Sequence, residues 1–214
     1  MQDVLPPPSR ALTAFALFYG GMVCMAGVLG NKLIAIGPLA VEAGIFAFLL
    51  LVVTSSAIAE LWGRQVANRT VLVGFVPMIV SMLLIQLVLR LPASPEMPPE
   101  RLAAFEAILG QSARLMLAGL IAYGTSTILN VTIFTAMKGR EGARPLWLRA
   151  AVASVVSQLV DTMLFITIAF YGVFPIGPIL VGQAITKMIL SALVVPALIY
   201  LWVWIGRRLD APDV

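Results

Sequence analysis

Polar residues follow one face of an otherwise apolar stretch at residues 154–165. Ser154, Gln158 and Asp161 recur at i, i+4 and i+7 spacing, which places their side chains along one side of an α-helix. Asp161 lies near the middle of this stretch, where an ionisable group in a bilayer is energetically costly and is by default suspected of function. A carboxylate there can pair with a buried cation or accept hydrogen bonds from a ligand. The spacing therefore predicts a polar face that another helix or a ligand must meet.

The composition of the chain indicates a polytopic membrane protein. Hydrophobic residues make up 61% and charged residues 11% of the 214 residues, against roughly 45–50% and about 25% in soluble domains. A net charge of +4 would suggest nucleic-acid binding in a soluble protein. Here the basic residues cluster in short loops between apolar runs, as membrane topology signals do. We therefore predict a protein embedded in a lipid bilayer that binds no nucleic acid directly.

Six apolar segments of membrane-spanning length predict an all-α fold, a bundle of six transmembrane helices in a single domain. We expect the spans at about residues 11–30, 38–59, 71–89, 115–137, 150–171 and 178–205. The longest loop, residues 90–114, contains a helix start at Pro98-Pro99-Glu100 and a stop at Gly110, with apolar residues on one face between them. This loop is predicted to form a short amphipathic helix at the membrane surface.

Basic residues distinguish the two ends of the predicted bundle. Nine lie on the side that carries both termini, and four lie on the opposite side. Because loops rich in Lys and Arg remain in the cytoplasm, both termini are predicted to be cytoplasmic and the 90–114 loop to face outward. The nine are Arg10, Arg64, Arg69, Lys138, Arg140, Arg144, Arg149, Arg207 and Arg208, and the four are Lys32, Arg90, Arg101 and Arg114.

Lys187 is the predicted counterpart of Asp161 on the sixth span. Asp161 lies about ten residues from the outer end of the fifth span, and Lys187 about nine residues from the outer end of the sixth. Both are therefore roughly 15 Å below the outer surface, near the bilayer midplane. A short turn joins the two spans, which makes them antiparallel neighbours. We therefore expect that the Asp161 and Lys187 side chains can meet.

Two interpretations of this pair differ in what it does. Buried charges are usually paired, so the two groups could simply neutralise each other. An apolar pair would usually be more favourable at the centre of a bundle, however, and four uncharged hydrogen-bonding groups occur at comparable depths in the last three spans. These are Tyr123, Asn130, Gln158 and Gln183. Their accumulation favours a substrate or ion pathway.

Missing residue types narrow the chemistry. The chain has no histidine and one cysteine, Cys24, so it lacks the common neutral-pH acid/base and metal ligand and can form neither a thiolate metal cluster nor an intrachain disulfide. Residues 139–144 contain glycines but lack the spacing of a phosphate-binding loop. We therefore predict no enzyme, no metal and no cofactor. Transport would be secondary, facilitated or powered by separate subunits.

Three motifs resemble the queuosine precursor transporter family, also called the VUT family. They occur in order after the first span, after the second span and within the fifth span. The motifs are Asn31-Lys32-Leu-Ile, then Ala59-Glu60-Leu-Trp-Gly-Arg64 with Ala67 and Arg69, and then Ala153-Ser154-Val-Val-Ser157-Gln158-Leu-Val-Asp161-Thr162 with Phe165. One position departs from the family pattern, because Ser56 stands where an aspartate is expected four residues before Glu60.

The resemblance implies uptake of 7-deazaguanine precursors of queuosine through the bacterial inner membrane, for salvage into tRNA modification. A guanine-like base presents two adjacent donors that one carboxylate can accept together, and Asp161 is the candidate for this contact. Glutamine or asparagine side chains can serve neighbouring positions, and Tyr123 or Phe165 can stack on the ring. Lys187 could hold Asp161 ionised or donate to the base carbonyl.

The remaining predicted site residues lie at the two mouths of the proposed path. Asn31-Lys32 is expected near the outer mouth and Glu60 near the inner one. Two rival functions stay open at this point. The chain could be the substrate-binding subunit of an energy-coupled vitamin importer, or a membrane scaffold that transports nothing. Assembly as a homo-oligomer is also left open.

Overall fold

The computed structural model describes residues 9–29, 32–36, 39–110, 113–138, 145–171 and 176–211. Within these ranges the chain forms helices joined by short connections and one short antiparallel β-hairpin. The elements are α1 (Arg10–Leu29), β1 (Leu33–Ile36), β2 (Leu39–Glu42), α2 (Gly44–Trp62), α3 (Arg64–Arg90), α4 (Pro99–Leu109), α5 (Ala113–Ala136), α6 (Leu146–Phe170) and α7 (Ile176–Leu209).

Six of these helices are long and apolar enough to cross a membrane, namely α1, α2, α3, α5, α6 and α7. The predicted all-α six-span architecture is confirmed. The start of α1 and the end of α7 meet on one side of the bundle, because the Ala11 backbone N–H donates to an Asp210 carboxylate oxygen at 2.9 Å. We call this side the basic end, since Arg10, Arg64 and Arg207 also lie there. Its cytoplasmic location stays a prediction of the charge distribution.

The β-hairpin corrects the predicted start of the second span. Residues expected in a helix from about 38 are paired as strands, with Leu33 opposite Glu42 and Ile36 opposite Leu39, and α2 begins only at Gly44. A backbone hydrogen bond from Ala43 to the Lys32 carbonyl, 2.8 Å long, continues the pairing. Hydropathy does not distinguish a short apolar strand from a helix. The apolar pattern of the sequence therefore did not predict the β-hairpin.

Other element boundaries also differ from the sequence prediction. A charged loop was expected around residues 60–70, but α3 begins at Arg64, directly after α2. Gly63 makes this tight reversal with a φ of 87°, a conformation that glycine adopts without steric cost. Pro145 precedes α6, which starts at residue 146 instead of about 150. The helix predicted in the 90–114 loop is present as α4, and its membrane-surface location stays a prediction.

Helix α2 forms the centre of the bundle. Of its 19 residues, 13 are buried. By comparison, four of the 20 residues of α1 and four of the 27 residues of α3 are buried. It packs against α1, α3, α5 and α7, while α6 packs between α5 and α7. Several polar side chains on α5, α6 and α7, among them Ser126, Asp161 and Lys187, are buried between helices, as membrane-embedded polar groups require.

Candidate functional site

A buried ion pair joins α6 to α7. The Lys187 ammonium donates to Oδ2 of Asp161 at 3.2 Å, and the two side chains are only 11% and 7% exposed. The Ser126 hydroxyl, on α5, donates to the other carboxylate oxygen, also at 3.2 Å. The predicted meeting of Asp161 and Lys187 is confirmed. Three helices therefore converge on one carboxylate.

Ser126 was not predicted as a site residue, although the sequence contains a signal for it. Residues 123–130 form an unusually polar stretch in the middle of an apolar span. Ser126 and Asn130 lie one turn apart on α5, so a polar face directed at α6 should include both. The sequence does not show which hydroxyl group of this stretch binds a carboxylate. The position of Asp161 on the facing helix identifies it as that of Ser126.

Three polar side chains on α6 and α7 have buried atoms without hydrogen-bond partners within the described part of the chain. Gln158 is completely buried and neither its amide nitrogen nor its amide oxygen is bonded. The Ser154 hydroxyl and Gln183 Oε1 are also unbonded. A buried polar group without a partner costs roughly 1–3 kcal/mol. Ser154 and Gln158 share the face of α6 that carries Asp161, and Gln183 lies one turn from Lys187 on α7, so a ligand there could satisfy them.

Asn130 belongs to a second polar layer. Its Nδ2 donates to the Ser56 hydroxyl at 2.9 Å, and the Ser157 hydroxyl donates to its Oδ1 at 3.5 Å. All three residues are completely or almost completely buried. Ser56, at the position that departs from the family pattern, therefore links α2 to α5. The sequence alone did not predict this contact, because the two residues are far apart in the chain.

The aromatic candidates have different surroundings. The Tyr123 hydroxyl donates to the Tyr19 hydroxyl at 2.7 Å, and its ring makes edge-to-face contacts with Phe48 and Phe75. Phe48 also lies 5.8 Å from the Lys187 nitrogen, so this aromatic cluster borders the ion pair. Tyr19 and Phe48 were not predicted from the sequence.

Phe165, the other predicted stacking residue, lies on α6 one turn beyond Asp161 and is partly buried. Of the residues expected at the mouths of the path, Lys32 and Glu60 are not part of the ion-pair site. Lys32 is exposed beside the β-hairpin, and Asn31 lies outside the described residues.

Glu60 forms a separate ionic cluster near the basic end. Its Oε2 accepts from Arg149 Nη2 at 2.7 Å, and its Oε1 lies 3.5 Å from Lys138 Nζ. Arg149 is 4% exposed, and its Nε donates to the Phe134 carbonyl at 3.3 Å. The sequence predicted Arg149 only as a topology signal. The structure instead places its guanidinium inside the bundle.

Comparison with known proteins adds an independent observation. The family model described as "Putative vitamin uptake transporter" matches residues 42–201, which is most of the chain and extends from α2 to residue 201 of α7. The chain belongs to this family, the VUT family. It is therefore a multi-pass membrane protein of a transporter family, as the sequence motifs predicted.

A relative in Bacillus subtilis (strain 168) is named "Probable queuosine precursor transporter" and is 34% identical over 118 residues. The match covers 54% of this chain and 50% of the relative, so the chain spans about half the length of that protein. No solved structure matches the chain. The VUT match includes both ionic groups and the Asn130 layer, whereas Tyr19 and Lys32 precede it.

Proposed function

We propose that this VUT protein imports the 7-deazaguanine precursors of queuosine, 7-cyano-7-deazaguanine and 7-aminomethyl-7-deazaguanine, across the bacterial inner membrane. The name of the Bacillus subtilis relative supports this substrate class. The observation that carries the proposal is Gln158, whose completely buried amide has no partner on either atom within the described residues. It lies one turn from Asp161, so a donor-rich ligand bound to the carboxylate would also reach an amide that needs both a donor and an acceptor.

Asp161 is suited to the edge of a guanine-like base. Its two oxygens each accept one hydrogen bond in this structure, from Lys187 and from Ser126, and an ionised carboxylate offers about four lone-pair sites. The ring N–H and the exocyclic amine of the base can therefore bind in a bidentate contact. Lys187 compensates the charge of the carboxylate before the base arrives, and its other N–H groups can donate to the base carbonyl. The function proposed is transport without catalytic chemistry.

Gln158→Met tests the proposal because methionine has a similar length and needs no hydrogen bond. We expect the substitution to weaken deazaguanine binding by about tenfold or more, which is the loss of at least one buried hydrogen bond. Thermal stability should not fall, since the unbonded amide is removed. Gln86→Met is the matched control, because Gln86 is partly buried on α3, outside the site.

Binding is measured with purified protein by titration calorimetry, and uptake with radiolabelled substrate in vesicles that contain only this chain. If vesicles with the wild-type protein take up neither deazaguanine, the proposed function is contradicted. Uptake of a vitamin in their place would support the broader family description against the deazaguanine assignment. Equal binding by wild type and Gln158→Met would remove Gln158 from the site.

A further inference from the structure

The Glu60 and Arg149 charges oppose the dipoles of their own helices. Glu60 lies in the last turn of α2, and Arg149 lies in the first turn of α6. A helix C-terminus disfavours a carboxylate and a helix N-terminus disfavours a cation. Neither charge is therefore explained by its own helix. Their 2.7 Å contact across α2 and α6 compensates both.

Contacts of Arg149 and Lys138 extend this pair to a third helix. The Arg149 guanidinium carbon lies 4.4 Å from the centre of the Phe134 ring, and its Nε donates to the Phe134 carbonyl. Lys138 follows the end of α5 and approaches Glu60 at 3.5 Å. The cluster consequently ties together the ends of α2 and α5 and the start of α6. Separating these helices at the basic end requires the ion pair to break.

The cluster is the last of three polar layers along α5. Ser126, Asn130 and Phe134 follow one another at i+4 spacing, so they lie on one face of this helix. Ser126 contacts Asp161, Asn130 contacts Ser56 and Ser157, and the Phe134 carbonyl accepts from Arg149. Phe134 is eight positions after Ser126, which corresponds to about 12 Å of helix.

The same order appears on the two neighbouring helices. Ser56 and Glu60 are one turn apart on α2. Because α6 begins at the basic end, Asp161, Ser157 and Arg149 lie progressively closer to that end. The unbonded Ser154 hydroxyl lies between the ion pair and the cluster along α6. Buried polar groups therefore occur at successive depths between Asp161 and the basic end, and we call this series the path.

We propose that the Glu60–Arg149 pair is a gate that closes this path at the basic end, and that it must break when substrate leaves Asp161 in that direction. The inference rests on the proposed function, because it assigns the path to the substrate bound at Asp161. While the pair is formed, substrate cannot leave towards the basic end. Its release in that direction requires a second conformation, in which α2 and the start of α6 have separated.

Thiol accessibility tests the gate without any substrate. Cys24 is the single cysteine, so Cys24→Ser provides a thiol-free background. Ser154→Cys then introduces the reporter thiol at a position where the serine hydroxyl has no hydrogen-bond partner among the described residues. A charged, membrane-impermeant maleimide is applied to the basic end in vesicles of defined orientation. We expect the labelling rate of the reporter to rise at least tenfold when Glu60→Gln is added.

Arg207→Gln is the matched control for the removal of a charge at the same end, because Arg207 is exposed on the last turn of α7. It should leave the labelling rate unchanged. Arg149→Lys keeps the charge but lacks the planar fork that lets arginine hold both Glu60 and the Phe134 carbonyl. It should also accelerate labelling. An unchanged rate in both Glu60→Gln and Arg149→Lys would overturn the proposal.

A charge exchange separates a gate from a folding defect. Glu60→Arg combined with Arg149→Glu restores an opposite-charge pair and gives each helix end the charge its dipole favours. Lys138, with a side chain that is 44% exposed, can turn towards solvent. An exchange variant that folds and is labelled slowly would support the gate, even if Glu60→Gln alone fails to fold. Labelling as fast as in Glu60→Gln would overturn it.

This test and the test of the proposed function can fail independently. A wild-type protein that binds no deazaguanine contradicts the substrate assignment, whatever the labelling rates are. A wild-type protein that binds and transports the base, with labelling insensitive to Glu60 and Arg149, contradicts only the gate. If both proposals hold, Glu60→Gln should also weaken apparent binding from the opposite side, because fewer molecules present the site there.

Discussion

The Lys187 ammonium lies 3.2 Å from the Asp161 carboxylate in the middle of two adjacent helices. Each group on its own would be an uncompensated charge inside the bundle, which is strongly unfavourable. Ser126 binds the second carboxylate oxygen, so Asp161 is held in position from two sides. A carboxylate oriented in this way is ready to accept a ligand without rearrangement of its helix.

The first prediction separates binding from stability at this pair. Asp161→Asn alone should lower the free energy of unfolding by about 3–5 kcal/mol, because Lys187 is left buried and unpaired. Asp161→Asn combined with Lys187→Met removes both charges, and its stability should return to about the wild-type value. Uptake should remain abolished in both variants, since neither contains the carboxylate. Thermal unfolding and vesicle uptake measure the two effects.

Recovery of uptake in that double variant would mean that the pair serves structure alone. An apolar replacement of both residues, Asp161→Leu with Lys187→Met, extends the comparison. It should also fold, because replacing a buried pair by apolar side chains is often neutral or stabilising, and it should not bind the base.

The second prediction concerns the hydrogen bond between Tyr123 and Tyr19. Tyr123→Phe keeps the ring and its contacts with Phe48 and Phe75 but leaves the buried Tyr19 hydroxyl without this 2.7 Å bond. We expect a stability loss of about 1–3 kcal/mol. Adding Tyr19→Phe should recover most of it, because both partners are then apolar. A double-mutant cycle by thermal unfolding measures the coupling, and additive losses would contradict it.

The third prediction uses two helical glycines with different surroundings. A Cβ at Gly74 would lie 2.6 Å from two ring atoms of Tyr19, whereas a Cβ at Gly119 would meet no atom within 4 Å. Gly74→Ala should therefore lower stability by about 1–3 kcal/mol through overpacking. Gly119→Ala should be neutral or raise stability by up to about 1 kcal/mol, through helix propensity. Melting temperatures of both variants make the comparison, and equal shifts would argue against close α1–α3 packing.

Local sequence patterns predicted the features that depend on neighbouring residues. Hydropathy identified six spans because a membrane requires long apolar helices, and i, i+4 spacing placed Ser154, Gln158 and Asp161 on one face. Antiparallel connection of the last two long helices then put Asp161 and Lys187 at the same depth. That inference needed only a constant rise per residue, and the 3.2 Å contact agrees with it.

Tertiary structure alone decided the contacts between distant segments. Tyr19 meets Tyr123, Ser56 meets Asn130, and Glu60 meets Arg149, although 104, 74 and 89 residues separate the partners. No periodicity within one helix specifies which helix lies beside it or at what rotation. Those choices follow from packing small and large side chains across several helices at once. The sequence thus identified many of the polar residues, whereas the partners of Tyr123, Asn130 and Glu60 were decided by which helices pack against one another.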